Sequence, residues 1–186
     1  NFPVGTLKLL ASTRSVGKVE TFRGERIPIE EANEAAFQGV DLVLGAAEND
    51  IALRFAPAIR AAGAVFVDNS SAFRLDPTVP LVVPEVNPQD AALHTGIIAN
   101  PNCSTIIMVM ALKPIYDLAR IKRIIVSTYQ AASGAGKDGL DELENHIKQA
   151  ARGEEMTAKI FPSASAQKHF PLALNLVPQI DIFLDN

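Results

Sequence analysis

Apolar positions follow two spacings along this chain, and each spacing predicts a different element. Short segments rich in aliphatic residues predict strands over residues 6–12, 40–47, 64–71, 95–102 and 121–133. Apolar residues at helical spacing predict helices over 29–39, 49–63, from just after Cys103 to about Leu118, and over 138–153. Strands and helices in this alternation indicate βαβ units, and therefore a parallel sheet with both faces covered.

The order of these elements predicts an α/β fold with two domains. A proline-rich stretch over 74–88 predicts a loop that crosses the carboxyl edge of the sheet. The boundary is expected near 101–104, which gives a parallel-sheet domain over 1–102 and a second domain over 103–186. The chain opens directly into a strand, and its apolar tail ends without a cap, so we expect both ends to be cut.

Composition narrows the classes of function. The chain has 17 basic and 21 acidic residues and a net charge of −4, so we expect no basic face for nucleic acid. Its single cysteine excludes a disulfide within the chain, which fits a cytoplasmic protein. No apolar run approaches the roughly 20 residues of a membrane span, so no membrane partner is expected.

The single cysteine, Cys103, stands in the sequence Asn-Pro-Asn-Cys-Ser-Thr, where a helix is expected to begin. Backbone N–H groups in the first turn of a helix lack partners, and the positive end of the helix favours a thiolate. The same N–H groups could hold an oxyanion formed when the sulfur attacks a carbonyl. Cys103 is therefore a candidate nucleophile. A lone cysteine is more often a small buried apolar residue, and this alternative stays open.

A glycine-rich turn follows Gln130 in the segment TYQAASGAGKDG, residues 128–139. Turns of this kind bring the backbone close to a ligand. The segment is not a P-loop, because Ala131 stands where the first glycine is required and Asp138 where Ser or Thr would meet magnesium. A plain strand-to-helix turn is the alternative.

The segment ASTRSVGK, residues 11–18, bears on the choice of dinucleotide. In dinucleotide-binding folds an acid after the second strand binds the ribose of NAD, whereas arginine and hydroxyl side chains suit the 2′-phosphate of NADP. Here Ser12, Thr13, Arg14 and Ser15 precede the first acid, Glu20. If a dinucleotide binds, NADP is expected. An ordinary solvated basic turn is the alternative.

Arg74 and the histidines complete the candidate chemistry. Arg74 follows a predicted strand in DNSSAFR, where it could hold a phosphate or carboxylate, or pair with a surface acid. His94 is expected in a loop, His146 on the exposed face of a helix and His169 beside a proline. No histidine has a metal-ligand spacing, so we expect neither a metal site nor a catalytic histidine among them.

Together and in this order, these segments resemble the aspartate-β-semialdehyde dehydrogenases over nearly the whole chain. The stretches that carry the resemblance are LLASTRSVGK, FVDNSSAFR, VPLVVPEVN, NPNCSTIIMVMALKPI, TYQAASGAGKDG and NLVPQID. The resemblance implies an NADP-dependent enzyme that interconverts aspartate semialdehyde plus phosphate with aspartyl phosphate, toward lysine, methionine and threonine. It also implies a Rossmann-like NADP-binding domain, an α+β catalytic and dimerisation domain of the glyceraldehyde-phosphate-dehydrogenase-like type, and a homodimer or homotetramer.

The resemblance assigns roles to individual residues. Cys103 matches the nucleophile that forms a thioester, and Gln130 the glutamine that holds the substrate near the sulfur. Arg74 matches the phosphate-binding arginine, and Asn102 is expected to position substrate. The cofactor contacts are expected from Arg14 and Ser15 at the 2′-phosphate, and from Ser133 and Gly134 near the nicotinamide.

The chain departs from the family pattern in several places, and these departures bear on its expected activity. The family's glycine-rich phosphate turn would precede Asn1, and its catalytic histidine, substrate arginine and phosphate-binding lysine would follow Asn186. Ala46-Ala47-Glu48 replaces a common small, glycine-containing run near the cofactor. We therefore expect these 186 residues alone to be inactive. A non-catalytic fragment or binding module, or a related acyl-phosphate reductase such as N-acetyl-glutamyl-phosphate reductase, is the alternative.

Overall fold

The computed structural model describes residues 2–164 and 166–179 and divides into two compact units. The first unit is Asn1–Ile124 and the second is Ile125–Asn186. The predicted division into 1–102 and 103–186 stays a prediction. The last letters of the NLVPQID stretch, and the end of the apolar tail, lie outside the described residues. In the described part of the chain, no helix combines the length and apolar character that a membrane crossing requires.

The first unit contains two three-stranded sheets. Strands β1 and β2 are Leu9–Ala11 and Val19–Phe22, and β3 is Glu25–Glu31; their order is β1-β3-β2. The other sheet has the order β4-β5-β6 and consists of Leu42–Gly45, Val65–Asp68 and Ile97–Ala99. Its strands are all parallel, and their register aligns Gly45 with Asp68 and Asp68 with Ala99. The predicted parallel sheet is therefore confirmed, and its carboxyl ends meet at one edge.

Helix α1, Asn49–Ala61, joins β4 to β5 and supplies much of the core. Its buried residues are Ala52, Phe55, Ala56 and Ile59, which recur at the spacing of one helical face. The Phe55 ring meets Phe37 edge-on at a centroid distance of 5.4 Å. The helix continues through Pro57, which lies on its exposed side. This βαβ unit matches the sequence prediction.

The helix predicted over 29–39 is mostly wrong. Strand β3 extends to Glu31, and only a short 3₁₀ helix, Glu34–Phe37, follows it. The reason is a hairpin that the sequence pattern hid: β2 and β3 are joined by Arg23 and Gly24, with φ of 51° and 86°. Two positive φ values are typical of the tight hairpin turn, but that turn is usually announced by Asn-Gly or Asp-Gly.

Helix α2, Cys103–Ala119, confirms the predicted helix after the Asn-Pro-Asn sequence. The strand predicted over 121–133 is wrong, since residues 120–131 have no regular structure and residues 122–131 are exposed. A strand needs a neighbour to accept and donate its backbone hydrogen bonds. Among the described residues of the second unit no strand is present to supply them.

The second unit is built around helix α3, Gly136–Ala151, close to the predicted 138–153. Gly139 and His146 lie two helical turns apart on its buried face, with Phe161 also buried. His146 is fully buried, so its predicted place on an exposed face is wrong. Its Nε2 bonds the carbonyl oxygen of Thr157 at 2.9 Å, which satisfies one polar atom of the buried ring.

One turn earlier on α3, Glu142 secures the same returning segment. Its carboxylate accepts hydrogen bonds from the backbone N–H groups of Lys159, at 2.7 Å, and Ile160, at 3.1 Å. Together with the His146 contact, these bonds attach residues 157–160 to the helix and hold Phe161 in the core of the second unit. Sequence reasoning missed this role of Glu142, because an acid on a helix usually faces solvent.

Candidate functional site

The carboxyl edge of the β4-β5-β6 sheet carries the polar residues that follow its strands. The N–H of Asn69, after β5, donates to the Gly45 carbonyl at the end of β4, at 3.1 Å. The N–H of Asn100, after β6, donates to the Asp68 carbonyl at 2.8 Å. The loops therefore leave the sheet in fixed directions, at the edge where open α/β sheets bind ligands.

Asp68 is fully buried at this edge and shapes the loop after β5. Its carboxylate accepts hydrogen bonds from the N–H of Ser70, at 3.1 Å, and from the Ser70 hydroxyl, at 2.6 Å. The Ser70 oxygen in turn accepts from the N–H of Ala72 at 3.1 Å. A buried carboxylate is tolerated when donors surround it in this way. Asp68 thus acts as the internal support of the DNSS turn.

Arg74 is half-buried and bridges the loops after β5 and β6. Its Nε donates to the carbonyl oxygen of Asn100 at 2.9 Å, and one Nη donates to that of Asn69 at 3.0 Å. Within the described residues it forms no ion pair with a carboxylate, so the surface-acid alternative is not observed. A guanidinium carries five N–H donors, which leaves several for an anion. Phosphate binding by Arg74 stays a prediction.

Asn102 caps helix α2. Its side-chain oxygen accepts hydrogen bonds from the N–H groups of Ser104, at 3.0 Å, and Thr105, at 3.3 Å. Asparagine is a preferred residue at this position because it satisfies N–H groups that have no partner inside the helix. The structure thus gives Asn102 a helix-capping contact, and its predicted role in positioning substrate is untested.

Cys103 is the first residue of α2, and its side chain is exposed. The alternative of a small buried apolar residue is therefore wrong. Because the Asn102 side chain occupies the N–H groups of Ser104 and Thr105, fewer donors remain at the helix start than the sequence implied. Within the described residues, the N–H of Cys103 itself has no hydrogen-bond partner. The helix start can therefore offer one backbone donor beside the sulfur.

The turn after β1 contains Arg14 and Ser15 in a 3₁₀ helix, Thr13–Ser15. The N–H of Ser15 donates to the Ser12 carbonyl at 2.9 Å, which closes the turn. Arg14 is exposed, and in the described part of the chain it forms no ion pair. A basic side chain without an acid partner, at the carboxyl end of a parallel strand, has the chemistry that a ribose phosphate requires.

Gln130, Ser133 and Gly134 lie together in the second unit. The Gln130 side chain lies over Gly134, where a Cβ would stand only 2.1 Å from its Nε2. Ser133 is exposed within the 3₁₀ helix Ala132–Ala135. Gly136 ends this turn at φ 70° and ψ −158°, a conformation essentially restricted to glycine. The glycine-rich turn thus places three of the predicted site residues side by side.

The histidines bond to backbone groups. His94 Nδ1 accepts a hydrogen bond from the N–H of Gly96 at 3.0 Å, before β6 begins, whereas Cys103 follows the other end of that strand. His169 Nε2 bonds the Ser163 carbonyl at 3.1 Å. In the part of the chain that the structure describes, no three His, Cys, Asp or Glu side chains group as metal ligands. None of these contacts points to a proton acceptor for Cys103.

Comparison with known families accounts for both halves of the chain. Residues 1–94 match the family description "Semialdehyde dehydrogenase, NAD binding domain". Residues 112–186 match "Semialdehyde dehydrogenase, dimerisation domain". The two matches follow each other in the order expected of one protein, and residues 95–111, which include Cys103, lie between them.

Individual relatives agree with these matches. The aspartate-semialdehyde dehydrogenase of Synechocystis sp. is 51% identical over 96% of this chain and 51% of its own length. The crystal structure of aspartate semialdehyde dehydrogenase II complexed with ASA from Vibrio cholerae superimposes with a TM-score of 0.87 at 43% identity, over 99% of this chain and 53% of that one. The Candida albicans enzyme with NADP gives a TM-score of 0.52 at 30% identity, over 61% of this chain and 40% of that one.

These matches also show how much of the relatives' length this chain covers. The chain spans about half the length of the curated relatives it matches. Its fold is nevertheless that of the family: a Rossmann-like NAD(P)-binding domain followed by a dimerisation domain. With a family match to each half, the chain belongs to the semialdehyde dehydrogenase family.

Proposed function

We propose that the protein containing this chain is an NADP-dependent aspartate-semialdehyde dehydrogenase. It reversibly reduces L-aspartyl 4-phosphate to L-aspartate 4-semialdehyde, in the synthesis of lysine by way of diaminopimelate, and of methionine and threonine. The observation that carries the proposal is the exposed Cys103 at the start of α2, directly after a sheet edge whose loops Arg74 bridges. Relatives named aspartate-semialdehyde dehydrogenase support the choice of substrate.

The proposed chemistry begins at the Cys103 sulfur. In the oxidative direction the thiolate forms a bond to the aldehyde carbon and gives a thiohemiacetal, whose oxygen carries the negative charge. NADP, when bound, supplies the acceptor for the hydride of this reaction. The oxidised adduct is a thioester on Sγ. Phosphate attacks its carbonyl carbon, the C–S bond breaks, and aspartyl phosphate leaves as the thiolate is regenerated.

The N–H of Cys103 is suited to hold the oxygen of the adduct. Because the Asn102 cap occupies the next two N–H groups, this donor is the one left at the helix start among the described residues. A fixed donor aimed at a developing negative charge lowers the barrier without reorganisation at the moment of reaction. In this scheme Asn102 serves the site by fixing the helix start beside the sulfur, in addition to its predicted contact with substrate.

The remaining assignments follow the family resemblance and fit the local structure. Gln130 holds substrate near the sulfur, and Arg74 binds phosphate through the N–H groups that its two carbonyl contacts leave over. Arg14 and Ser15 hold the 2′-phosphate of NADP, and Ser133 and Gly134 contact the nicotinamide end. The exposed Arg14, which forms no ion pair with any described residue, and the exposed glycine-rich turn are compatible with these roles.

The wider setting is part of the proposal. The second unit overlaps the family's dimerisation domain, which implies an oligomer, and we propose a homodimer or homotetramer. A chain with one cysteine and biosynthetic relatives fits the cytoplasm. Because the relatives are about twice as long, residues 1–186 alone are expected to have no measurable turnover.

Assays of the full-length protein test the proposal. Purified protein is expected to reduce NADP when both aspartate semialdehyde and phosphate are present, and Cys103→Ala is expected to abolish this. Ser104→Ala, next to the sulfur but with only its N–H in a hydrogen bond, is the matched control. Full activity of Cys103→Ala would contradict the assignment of Cys103 as the nucleophile. Faster reduction of NADP with N-acetylglutamate semialdehyde would contradict aspartate semialdehyde as the substrate.

The same assay tests the cofactor. Arg14→Ala is expected to raise the KM for NADP about tenfold or more, because a charged hydrogen bond to phosphate is worth about 1.5–3 kcal/mol. The KM for NAD should stay near its original value. Arg26→Ala, which removes another exposed arginine of the same unit, is the control for net charge. An equal loss with both cofactors would contradict the assignment of Arg14 to the 2′-phosphate.

A further inference from the structure

Two hydrogen bonds join the loops after β5 and β6, and a third, within the loop after β5, holds the same residues together. The Asn100 side-chain Nδ2 donates to Asn69 Oδ1 at 2.6 Å. Arg74 donates to the backbone carbonyls of the same two residues, at 2.9 Å to Asn100 and 3.0 Å to Asn69. We call these three residues the asparagine clasp. It closes two stretches of chain, 31 residues apart in sequence, into one unit at the sheet edge.

The path from the clasp to the sulfur has little freedom. Asn100 is followed by Pro101, which is buried and whose ring fixes its own φ. A residue before proline is itself restricted to extended conformations. Asn102 is then held by its hydrogen bonds to the first turn of α2, which begins at Cys103. The position of Asn100 therefore determines where the Cys103 backbone lies at the sheet edge.

Asn69 is anchored on the other side of the clasp. Its N–H donates to the Gly45 carbonyl, so its backbone is tied to the end of β4. Its side-chain oxygen is the part that reaches across to Asn100. The sheet thus holds Asn69, and Asn69 holds the start of the segment that carries the cysteine.

We propose that Asn69 is a positioning residue for Cys103, acting through Asn100. Its amide oxygen fixes the segment 100–103 at the distance and direction that the sulfur needs for attack. The inference rests on the proposed function, in which Cys103 is the nucleophile. Displacing a reacting group by about 1 Å can cost about 10² in rate, so one hydrogen bond at this place affects kcat more than stability.

The alternative role for Asn69 is a direct contact with substrate. The two roles predict different effects for the double variant. If Asn69 touched substrate, removing the Asn100 side chain would not reproduce the loss, and the two losses would multiply. If Asn69 acts through Asn100, either substitution breaks the same hydrogen bond, and the double variant loses no more than the worse single variant. A double-mutant cycle separates the two roles.

The test uses the full-length protein with Asn69→Ala, Asn100→Ala and the double variant. Each single variant is expected to lower kcat about tenfold, with the KM for NADP within about twofold of wild type, and the double variant to match them. Asn145→Ala, an exposed asparagine on α3, is the control and should leave kcat unchanged. Losses that multiply, or a kcat of Asn69→Ala equal to wild type, would overturn the proposal.

Amide hydrogen exchange tests the clasp without substrate or cofactor. The N–H groups of Asn100, Ser104 and Thr105, which are hydrogen-bonded in the structure, are expected to exchange faster in Asn69→Ala than in wild type, with no change in α1. If the alanine variants do not fold, two size-conserving variants replace them: Asn69→Asp keeps an acceptor for Asn100, whereas Asn100→Asp removes the donor. Only Asn100→Asp should then exchange faster, and equal exchange in both would overturn the clasp. A wild-type protein inactive on aspartate semialdehyde would instead refute the proposed function, with the exchange result still standing.

Discussion

The Gln130 side chain lies directly against Gly134, so that a Cβ on residue 134 would stand 2.1 Å from Gln130 Nε2 and 2.8 Å from its Cδ. Both residues are exposed, and both are assigned to the proposed site in the second unit. The absence of a side chain at position 134 is therefore what allows Gln130 to occupy its place. This relationship connects a residue proposed to contact the cofactor with a residue proposed to hold the substrate.

Gly134→Ala is expected to push the Gln130 side chain aside and to lower kcat of the full-length protein about tenfold. Because an exposed side chain can move, the free energy of unfolding should change by less than about 0.5 kcal/mol. Steady-state kinetics and urea unfolding measure the two effects. Gly5→Ala, where no atom lies within 4 Å of the added Cβ, is the control. A large loss of stability would indicate that Gly134 has a packing role instead.

Gly139→Ala, unlike Gly134→Ala, is expected to lower the stability of the protein. An added Cβ would lie 2.7 Å from the Ala132 carbonyl oxygen and 3.2 Å from the Phe161 ring, inside the core of the second unit. Overpacking of this kind costs about 1–3 kcal/mol. Urea unfolding, with Asn145→Ala as the exposed control on the same helix, measures it. An unchanged unfolding midpoint would contradict the packing of α3 on Phe161.

Arg74→Lys is expected to be a severe change. A lysine ammonium lacks the planar fork that reaches two carbonyls and still presents N–H groups to an anion. The KM for phosphate should rise and kcat should fall, each about tenfold or more. Kinetics at varied phosphate measure this, with Arg152→Lys, exposed directly after the end of α3, as control. If Arg74→Lys had the wild-type KM for phosphate, the assignment of phosphate binding to this arginine would be wrong.

Asp76 gives a prediction for pH. The Thr78 hydroxyl donates to its carboxylate at 2.7 Å and the Thr78 N–H at 2.8 Å, which lowers the pKa of Asp76 below its ordinary value. A lowered pKa means that the contact is complete above the ordinary carboxyl pKa and is lost as pH falls through the lowered one. Thr78→Val should raise the pKa of Asp76. The remaining contact between residues 76 and 78 should then be lost at a higher pH than in wild type. Carbon-detected NMR titration measures this, and Thr95→Val should leave the Asp76 titration unchanged.

Elements whose partners adjoin them in sequence were predictable. Strands β4 and β5 and helix α1 form one βαβ unit, and their apolar spacing alone located them. The β2–β3 hairpin was missed because Arg23-Gly24 is not the usual turn pair. The apolar run after α2 has the composition of a strand, yet the described second unit offers no strand to pair with it. Composition indicates what a segment prefers, and pairing decides whether it forms.

In the candidate site, too, contacts between residues close in sequence could be predicted, whereas contacts between distant residues could not. Cys103 at a helix start, and the grouping of Gln130 with Gly134, could be predicted because the residues involved are close in sequence. The contact between Asn69 and Asn100 joins two loops, and no spacing in the sequence reveals it. The burial of His146 was likewise hidden, because the sequence does not show that the segment around Thr157 returns to α3.

The exposed sulfur at the start of α2 has a practical consequence for spectroscopy. Because Cys103 is the sole thiol in these 186 residues, a maleimide-linked fluorophore or spin label attaches to them at one point. That point lies where β6 passes into α2, so the probe reports on the environment of the sheet edge itself. A change of its signal on addition of phosphate, aldehyde or dinucleotide would test the proposed binding without depending on turnover.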